Sequence, residues 1–310
     1  MLPSRPMRHR YLTADVFTDR PFGGNPLAVF PEARGIPGDR MQQIARELNL
    51  SETVFVLPPD DPAHTRKLRI FTPAAELPFA GHPTVGTAFV LAAIGDVKLE
   101  GEEARVVFEE GVGPVPVAIR AEGGRPVFSQ LTAAKLPEVG PPPPSIPELA
   151  GMLSLDPEDL LDGGDAPEAV SCGVPFLYIP LRNREAVGRA RLRTDLWEKI
   201  LSGFWATEVY VFARDPELAG SDLHSRMFAP RMGIAEDPAT GAATASLGGY
   251  LGSRAPERDG TLRWVIEQGF EMGRPSLLHL EVDKADGRIT KVRVGGASVL
   301  MGEGWMEVPE

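Results

Sequence analysis

The residues with the clearest chemical potential stand in two matching strings. Phe71-Thr72-Pro73 is followed by His82-Pro83-Thr84-Val85-Gly86-Thr87-Ala88, and Phe228-Ala229-Pro230 by Asp237-Pro238-Ala239-Thr240-Gly241-Ala242-Ala243. Each string runs Phe-x-Pro, a polar residue, then Pro-x-x-Gly-[Thr/Ala]-Ala, and each leads into an apolar segment. That shared order reads as a duplicated unit. Proline favours the first position of a helix, where its missing N–H is no loss. The spacing therefore places His82 and Asp237 at or beside the N-caps of two buried helices. Gly86-Thr87-Ala88 and Gly241-Ala242-Ala243 leave the first-turn N–H groups uncovered. A helix N-terminus carries about half a positive charge and free donors, so two of them suit an anion, and a carboxylate-bearing small molecule is the natural ligand. Singly, Asp237 reads as a helix cap and His82 as a satisfied loop histidine. In matching places of two repeats, the functional reading is the better one.

Glu52 opens the apolar segment Thr53-Val54-Phe55-Val56-Leu57. A carboxylate there is either a solvated strand end or a desolvated acid poised for proton transfer. Glu76 and Glu236 also lie beside the repeated strings, and residue type alone does not rank the three. The five histidines are scattered without a pair at helical or strand spacing, so no metal site is expected. A P-loop, a nucleotide glycine fingerprint and a nucleophile elbow are also missing from the sequence. The lone cysteine, Cys172, rules out an intramolecular disulfide and any two-thiol mechanism. It reads as a small buried or turn residue.

The elements that must position these groups follow from composition and periodicity. The chain has 310 residues, 43% of them hydrophobic, with 33 Gly and 31 Pro spread along its length. That describes about two turn-rich domains rather than disorder. Strands are expected at 8–18, 25–31, 52–57, 67–71, 104–109, 114–120 and 126–131. In the second half they are expected at 169–172, 176–181, 208–213 and 223–228, with several more from Thr261 onward. Asp39 caps a helix carrying Met41, Ile44, Ala45 and Leu48 on one face, and Asn49 ends it. Helices are also expected at 146–153 and 195–202. Pro83–Ile94 and Thr240–Leu251 read as all-apolar helices, which must be surrounded by protein. The run Pro141-Pro142-Pro143-Pro144 is the most linker-like stretch. It sets a boundary within residues 120–145, giving an N-terminal half of residues 1–125 and a C-terminal half of 126–310 whose last strand returns to the first.

The net charge is −11, from 32 basic and 43 acidic residues, which disfavours nucleic acid and anionic membrane surfaces as partners. Met1–Arg10 is basic, but Tyr11-Leu12-Thr13-Ala14-Asp15 breaks the apolar core that a signal peptide needs. Leu77–Gly95 is apolar yet interrupted by prolines, glycines and His82, so a buried helix explains it better than a membrane span. A soluble, cytoplasmic protein is expected.

The motifs together resemble the PhzF-like family, named for a phenazine-biosynthesis isomerase. They are Asp15-Val16-Phe17-Thr18 with Gly24-Asn25-Pro26-Leu27-Ala28-Val29-Phe30, Leu50-Ser51-Glu52-Thr53-Val54-Phe55, Arg69-Ile70-Phe71-Thr72-Pro73 and Glu76-Leu77-Pro78-Phe79-Ala80-Gly81-His82-Pro83. Arg226-Met227-Phe228-Ala229-Pro230, Glu236-Asp237-Pro238-Ala239-Thr240-Gly241, and Gln268-Gly269 with Gly273-Arg274-Pro275-Ser276 complete the set.

The resemblance implies an α+β, diaminopimelate-epimerase-like fold. In it, two similar β-barrel-like halves each surround a central apolar helix, and the active site lies in the cleft between them. It further implies that Glu52 is the catalytic acid/base, assisted by His82 and Asp237. Asn25, Gly81, Thr240, Gly241 and Ala242 match substrate-binding positions. No cofactor and no metal are implied, and a homodimer is. Related racemases use one thiol from each half. Here those slots hold the Gly-His-Pro and Thr-Gly-Ala stretches and Cys172 lies in neither, which excludes that chemistry.

One departure concerns specificity. Where the phenazine enzyme has a serine after Thr-Gly, this chain has Ala242, so the phenazine precursor is not a secure substrate. The expected activity is a cofactor-independent isomerase shifting a proton within a small carboxylic acid. A protein that binds such an acid without turnover is the alternative, and a chelator-sensitive hydrolase a third reading.

Overall fold

The computed structural model describes residues 7–309. Residues 1–6, part of the basic N-terminal stretch read above as lacking a targeting signal, and residue 310 lie outside the described residues. The chain divides into two compact units. One ends at Ala134 and resumes at Gly295, and the other is Lys135–Val294.

The N-terminal unit begins with β1 (Met7–Val16), β2 (Asn25–Phe30), α1 (Gly38–Leu48), β3 (Glu52–Leu57), β4 (Arg66–Phe71) and β5 (Glu76–Leu77). It continues with α2 (Gly81–Ala93), β6 (Glu103–Glu110), β7 (Gly113–Glu122) and β8 (Arg125–Thr132). The C-terminal unit opens with β9 (Glu138–Val139), α3 (Ile146–Leu153), β10 (Glu168–Ser171), β11 (Pro175–Pro180), α4 (Arg184–Arg189) and α5 (Thr194–Leu201). Then come β12 (Glu208–Ala213), β13 (Leu223–Ala229), β14 (Ile234–Asp237), α6 (Gly241–Arg254), β15 (Gly260–Gln268), β16 (Ser276–Ala285) and β17 (Arg288–Gly296). The last strand, β18 (Ser298–Val308), runs antiparallel to β1 in the N-terminal unit.

The duplication is topological as well as sequential. In the N-terminal unit β2 runs parallel to β3, β3 antiparallel to β4, β4 antiparallel to β5, and β4 parallel to β6. In the C-terminal unit β11, β12, β13, β14 and β15 repeat that pattern strand for strand. A parallel pair needs a long crossover, which α1 supplies in the first case and α4 with α5 in the second.

Each unit wraps a buried helix. α2 is buried from Gly81 to Ala92, with no acidic residue in its first turn and no basic one in its last. Strands approach it closely because Gly86 has no side chain: a Cβ there would lie 2.5 Å from a Val16 methyl and 2.6 Å from a Leu27 methyl. α6 is buried along most of its length. No helix among the described residues is long and apolar enough to cross a membrane.

The remaining helices are ordinary amphipathic ones. α1 buries Met41, Ile44 and Ala45 against Phe30, Phe55 and Phe71, with the Phe30 and Phe55 rings stacked 4.9 Å apart. Asn49 closes it in the left-handed conformation, as expected. Its N-cap, however, is Pro37, and Asp39 lies inside the first turn without capping. Asp39 still favours the positive end of the helix there. Cys172 is buried, and burial pushes its thiol up to about 12, so it is an inert packing residue.

Candidate active site

In the N-terminal unit, the sheet register brings Glu52 to α2. Glu52 is the first residue of β3, beside Leu27 of the parallel strand β2, and is 7% exposed. His82 is the second residue of α2, is 3% exposed, and its Nε2 lies 3.2 Å from Glu52 Oε2. Burial pushes His82 down to about 3, against a hydrogen bond to the Pro26 backbone that raises it. The imidazole is therefore neutral around pH 7. Proline offers only a carbonyl, so the ring nitrogen facing it must donate. Nε2 then presents its lone pair to Glu52. A protonated Glu52 can donate a hydrogen bond to it, and an ionised Glu52 can take a proton from a substrate carbon. Asn25, fully buried, immediately precedes Pro26 on the same strand.

The three carboxylates left unranked by sequence now separate. Glu76 forms a two-pronged ion pair with Arg69, with both contacts at 2.7 Å. Glu236 does the same with Arg226, with both contacts at 2.8 Å. Each arginine also covers the phenylalanine two residues on, Arg69 over Phe71 at 5.1 Å and Arg226 over Phe228 at 4.9 Å. Glu76 and Glu236 are thus the same structural element twice. Glu52 is the carboxylate that meets a histidine.

In the C-terminal unit, Asp237 ends β14, with Thr240 as the N-cap of α6. The Thr240 hydroxyl donates to Asp237 Oδ2 at 2.5 Å. Gln268, at the end of β15, locks the turn. Its amide donates to the Asp237 carbonyl at 2.7 Å and to Thr240 Oγ1 at 3.0 Å, while its Oε1 accepts from the Thr240 N–H at 3.1 Å. The next residue must be glycine. Gly269 has φ +79°, and a Cβ there would lie 2.5 Å from the carbonyl oxygens of both Arg274 and Pro238. Gly269→Ala is expected to cost about 1–3 kcal/mol, seen as a lower Tm. An unchanged Tm would refute the close approach.

The repeat is aligned differently from the sequence expectation. Neither Pro83 nor Pro238 opens its helix. α2 begins at Gly81, with Pro83 third, and α6 begins at Gly241, with Pro238 outside it. Hydrogen bonding fixes the register, since Thr84 donates to the Ala80 carbonyl and Thr244 to the Thr240 carbonyl. His82 therefore corresponds to Ala242, and Asp237 to Leu77. His82 and Asp237 are not repeat mates. Gly241 and Ala242 are the first two residues of α6, and Gly81 is the first of α2. Neither helix has a side-chain cap bond from its N-cap residue, Ala80 or Thr240, which leaves first-turn N–H groups for a ligand.

Sequence reading missed another repeated device because only strand register reveals it. Glu109 accepts the N–H groups of Asp60 and Asp61 and contacts His64. Its counterpart Glu267 accepts those of Glu217 and Leu218 and contacts His224. The following residues also correspond, Glu110 to Gln268. Burial pushes Glu110 up to about 8 despite a hydrogen bond from Thr84, so a neutral acid stands where the other unit has an amide.

His224, 1% exposed, lies 2.9 Å from both Glu267 and Glu271. Burial pushes it down, but the two carboxylates outweigh burial and its pKa is raised. A raised histidine stabilises the fold fully below its unfolded value of about 6.5. That contribution is lost as pH rises through the folded value. His224→Gln should therefore lower Tm most in mildly acidic buffer, with the deficit shrinking towards alkaline pH. A deficit that grows with pH would contradict this.

Residues 14–304 match the PhzC-PhzF family of phenazine biosynthesis-like proteins. The chain belongs to this family. An uncharacterized isomerase of Mesorhizobium japonicum is 42% identical over 299 residues, covering 95% of this chain and 97% of that one. Trans-2,3-dihydro-3-hydroxyanthranilate isomerase of Pseudomonas aeruginosa is 35% identical over 297 residues, covering 96% of this chain and 98% of that enzyme. The crystal structure of a Bacillus anthracis phenazine biosynthesis protein of the PhzF family superposes with a TM-score of 0.87. It does so at 25% identity, covering 97% of this chain and 99% of that one. The fold is the diaminopimelate-epimerase-like one expected, and the chain is an enzyme of an isomerase family.

Proposed function

We propose that this PhzF-family enzyme is a cofactor-independent isomerase that moves a proton within a small carboxylic acid, with Glu52 as the acid/base. The observation that carries the reading is the buried Glu52–His82 contact of 3.2 Å. Glu52 takes a proton from an activated carbon and returns it to another carbon of the same conjugated system. One base suffices when both carbons lie on one face. His82, neutral and oriented by Pro26, accepts a hydrogen bond from the protonated acid and steadies it between the two steps. The family resemblance extends the proposal to Asp237 as a further group that holds or relays protons, and to Asn25, Gly81, Thr240, Gly241 and Ala242 as substrate-binding positions. It also extends the proposal to a cytoplasmic homodimer. With Ala242 in place of serine, an acid other than trans-2,3-dihydro-3-hydroxyanthranilate is the better candidate substrate.

The test is incubation with a panel of small unsaturated carboxylic acids, that compound included, in D₂O. New C–D bonds read by NMR are the expected result. Acids that raise Tm while none acquires deuterium would instead favour a binding protein without turnover.

A further inference from the structure

The duplication places a second carboxyl where Glu52 would be repeated. Thr53 pairs with Phe71 in the N-terminal unit and Val209 with Phe228 in the C-terminal one. Since Phe71 and Phe228 correspond, Glu52 corresponds to Glu208, and Ser51-Glu52 to Thr207-Glu208. Glu208 is 3% exposed. Its Oε1 accepts from the Thr207 hydroxyl at 3.0 Å, and Thr207 is itself held by the Trp197 indole N–H on its carbonyl at 2.7 Å. Its Oε2 is buried without a hydrogen-bond partner among the described residues.

The side chain lies on the α6 side of β12. Alternate residues of a strand share a face, and on this strand Phe212 meets the Tyr250 ring edge-on at 5.5 Å while Tyr210 bonds Thr244. The other face, with Val209 and Val211, packs in the core with residues of α3, α4 and α5. Two residues of strand advance about 6.7 Å, which is about four to five residues of helix. The step from Tyr210 back to Glu208 therefore runs from Thr244 to the level of Ala239 and Thr240, at the N-cap of α6. Glu52 makes the same approach to α2 and meets His82 there. In α6 the matching position is Ala242, whose methyl group cannot partner Oε2, and the register sets Glu208 level with the uncapped start of that helix.

We propose that Glu208 is a substrate-binding carboxylic acid, which in its protonated form donates Oε2–H to a ligand carboxylate seated on the N–H groups at the start of α6. This rests on the isomerase reading above for the class of ligand, and adds to it the residue that recognises the acid group. Burial pushes Glu208 up to about 7, against the Thr207 hydrogen bond and the Arg231 charge, which lower it. An anion beside it holds the proton on. Binding then takes up a proton, and affinity falls tenfold for each pH unit above about 7. The other titratable groups on this side are Tyr178, Tyr210, Tyr250, Cys172, Arg231 and Asp237. Burial raises all three tyrosines and the thiol far above neutrality.

Anthranilate is a suitable probe, being an aromatic carboxylate with no proton to shift. Its dissociation constant is measured calorimetrically in steps from about pH 6 to about pH 9 for wild type, Glu208→Gln and Glu52→Gln. The expected wild-type result is tenfold weakening per unit above about pH 7, with a flat profile for Glu208→Gln, whose amide still donates. Glu52→Gln should keep the wild-type slope while losing deuterium exchange, so failure of the acid/base reading shows separately. No anthranilate binding, a flat wild-type profile, or a slope that survives in Glu208→Gln overturns the proposal. Should Glu208→Gln not fold, the ¹³C carboxyl resonance of Glu208 in wild type decides. Its titration must move to higher pH with anthranilate, and an unmoved midpoint overturns the assignment.

Discussion

Glu52→Gln should slow proton transfer by about 10²–10⁴-fold, the usual range for loss of a positioned acid or base, while leaving the fold and KM nearly unchanged. The amide has the size of the acid and keeps a donor for His82 Nε2, which lies 3.2 Å from Glu52 Oε2. It cannot accept a proton from carbon. The surrounding strand does not depend on the charge, since Thr53, Val54, Phe55 and Val56 of β3 are all buried. The check is kcat and KM on one substrate with Tm alongside. A fall in kcat with an unchanged Tm is expected, and a large fall in Tm would recast Glu52 as structural.

Arg226→Ala should be among the most damaging single changes to stability. The guanidinium is 4% exposed and bonds both oxygens of Glu236 at 2.8 Å, the Val187 carbonyl at 3.0 Å and the Ala190 carbonyl at 2.8 Å. Removing it strands a carboxylate and two carbonyls. Breaking such a buried pair costs about 3–5 kcal/mol, roughly 2–4 °C in Tm for each kcal/mol at this domain size. The counterpart Arg69–Glu76 pair is a control within the same chain. Its side chains are 29% and 43% exposed, so Arg69→Ala should cost about 1 kcal/mol or less. Thermal melts of both variants check the contrast, and equal losses would contradict it.

The sequence located elements well where a continuous apolar run or a capping box marks them. β3 at Glu52–Leu57, β12 at Glu208–Ala213 and α3 at Ile146–Leu153 fall at the expected residues, and α3 carries a Ser145–Glu148 capping box. The starts of α2 and α6 were harder to place. Their N-caps, Ala80 and Thr240, make no side-chain cap bond, and the prolines that mimic an N1 signal sit elsewhere in the turn. The duplication was legible in composition, but its true register was not. Loops of unequal length separate the matching strands, so the correspondence of Glu109 with Glu267, or Glu52 with Glu208, emerges only from strand pairing. The Ser51-Glu52 and Thr207-Glu208 dipeptides were the available sequence signal for the last of these. Burial decided the ranking of Glu52 over Glu76 and Glu236, because an arginine seven or ten positions away in sequence does not announce a bidentate pair.

The most direct measurement is deuterium uptake in D₂O by wild type and Glu52→Gln side by side, with product read by NMR. Wild type should install deuterium at the carbon that receives the shifted proton, and Glu52→Gln should do so at least about 10²-fold more slowly. Uptake by Glu52→Gln at the wild-type rate would contradict the assignment of Glu52 as the base.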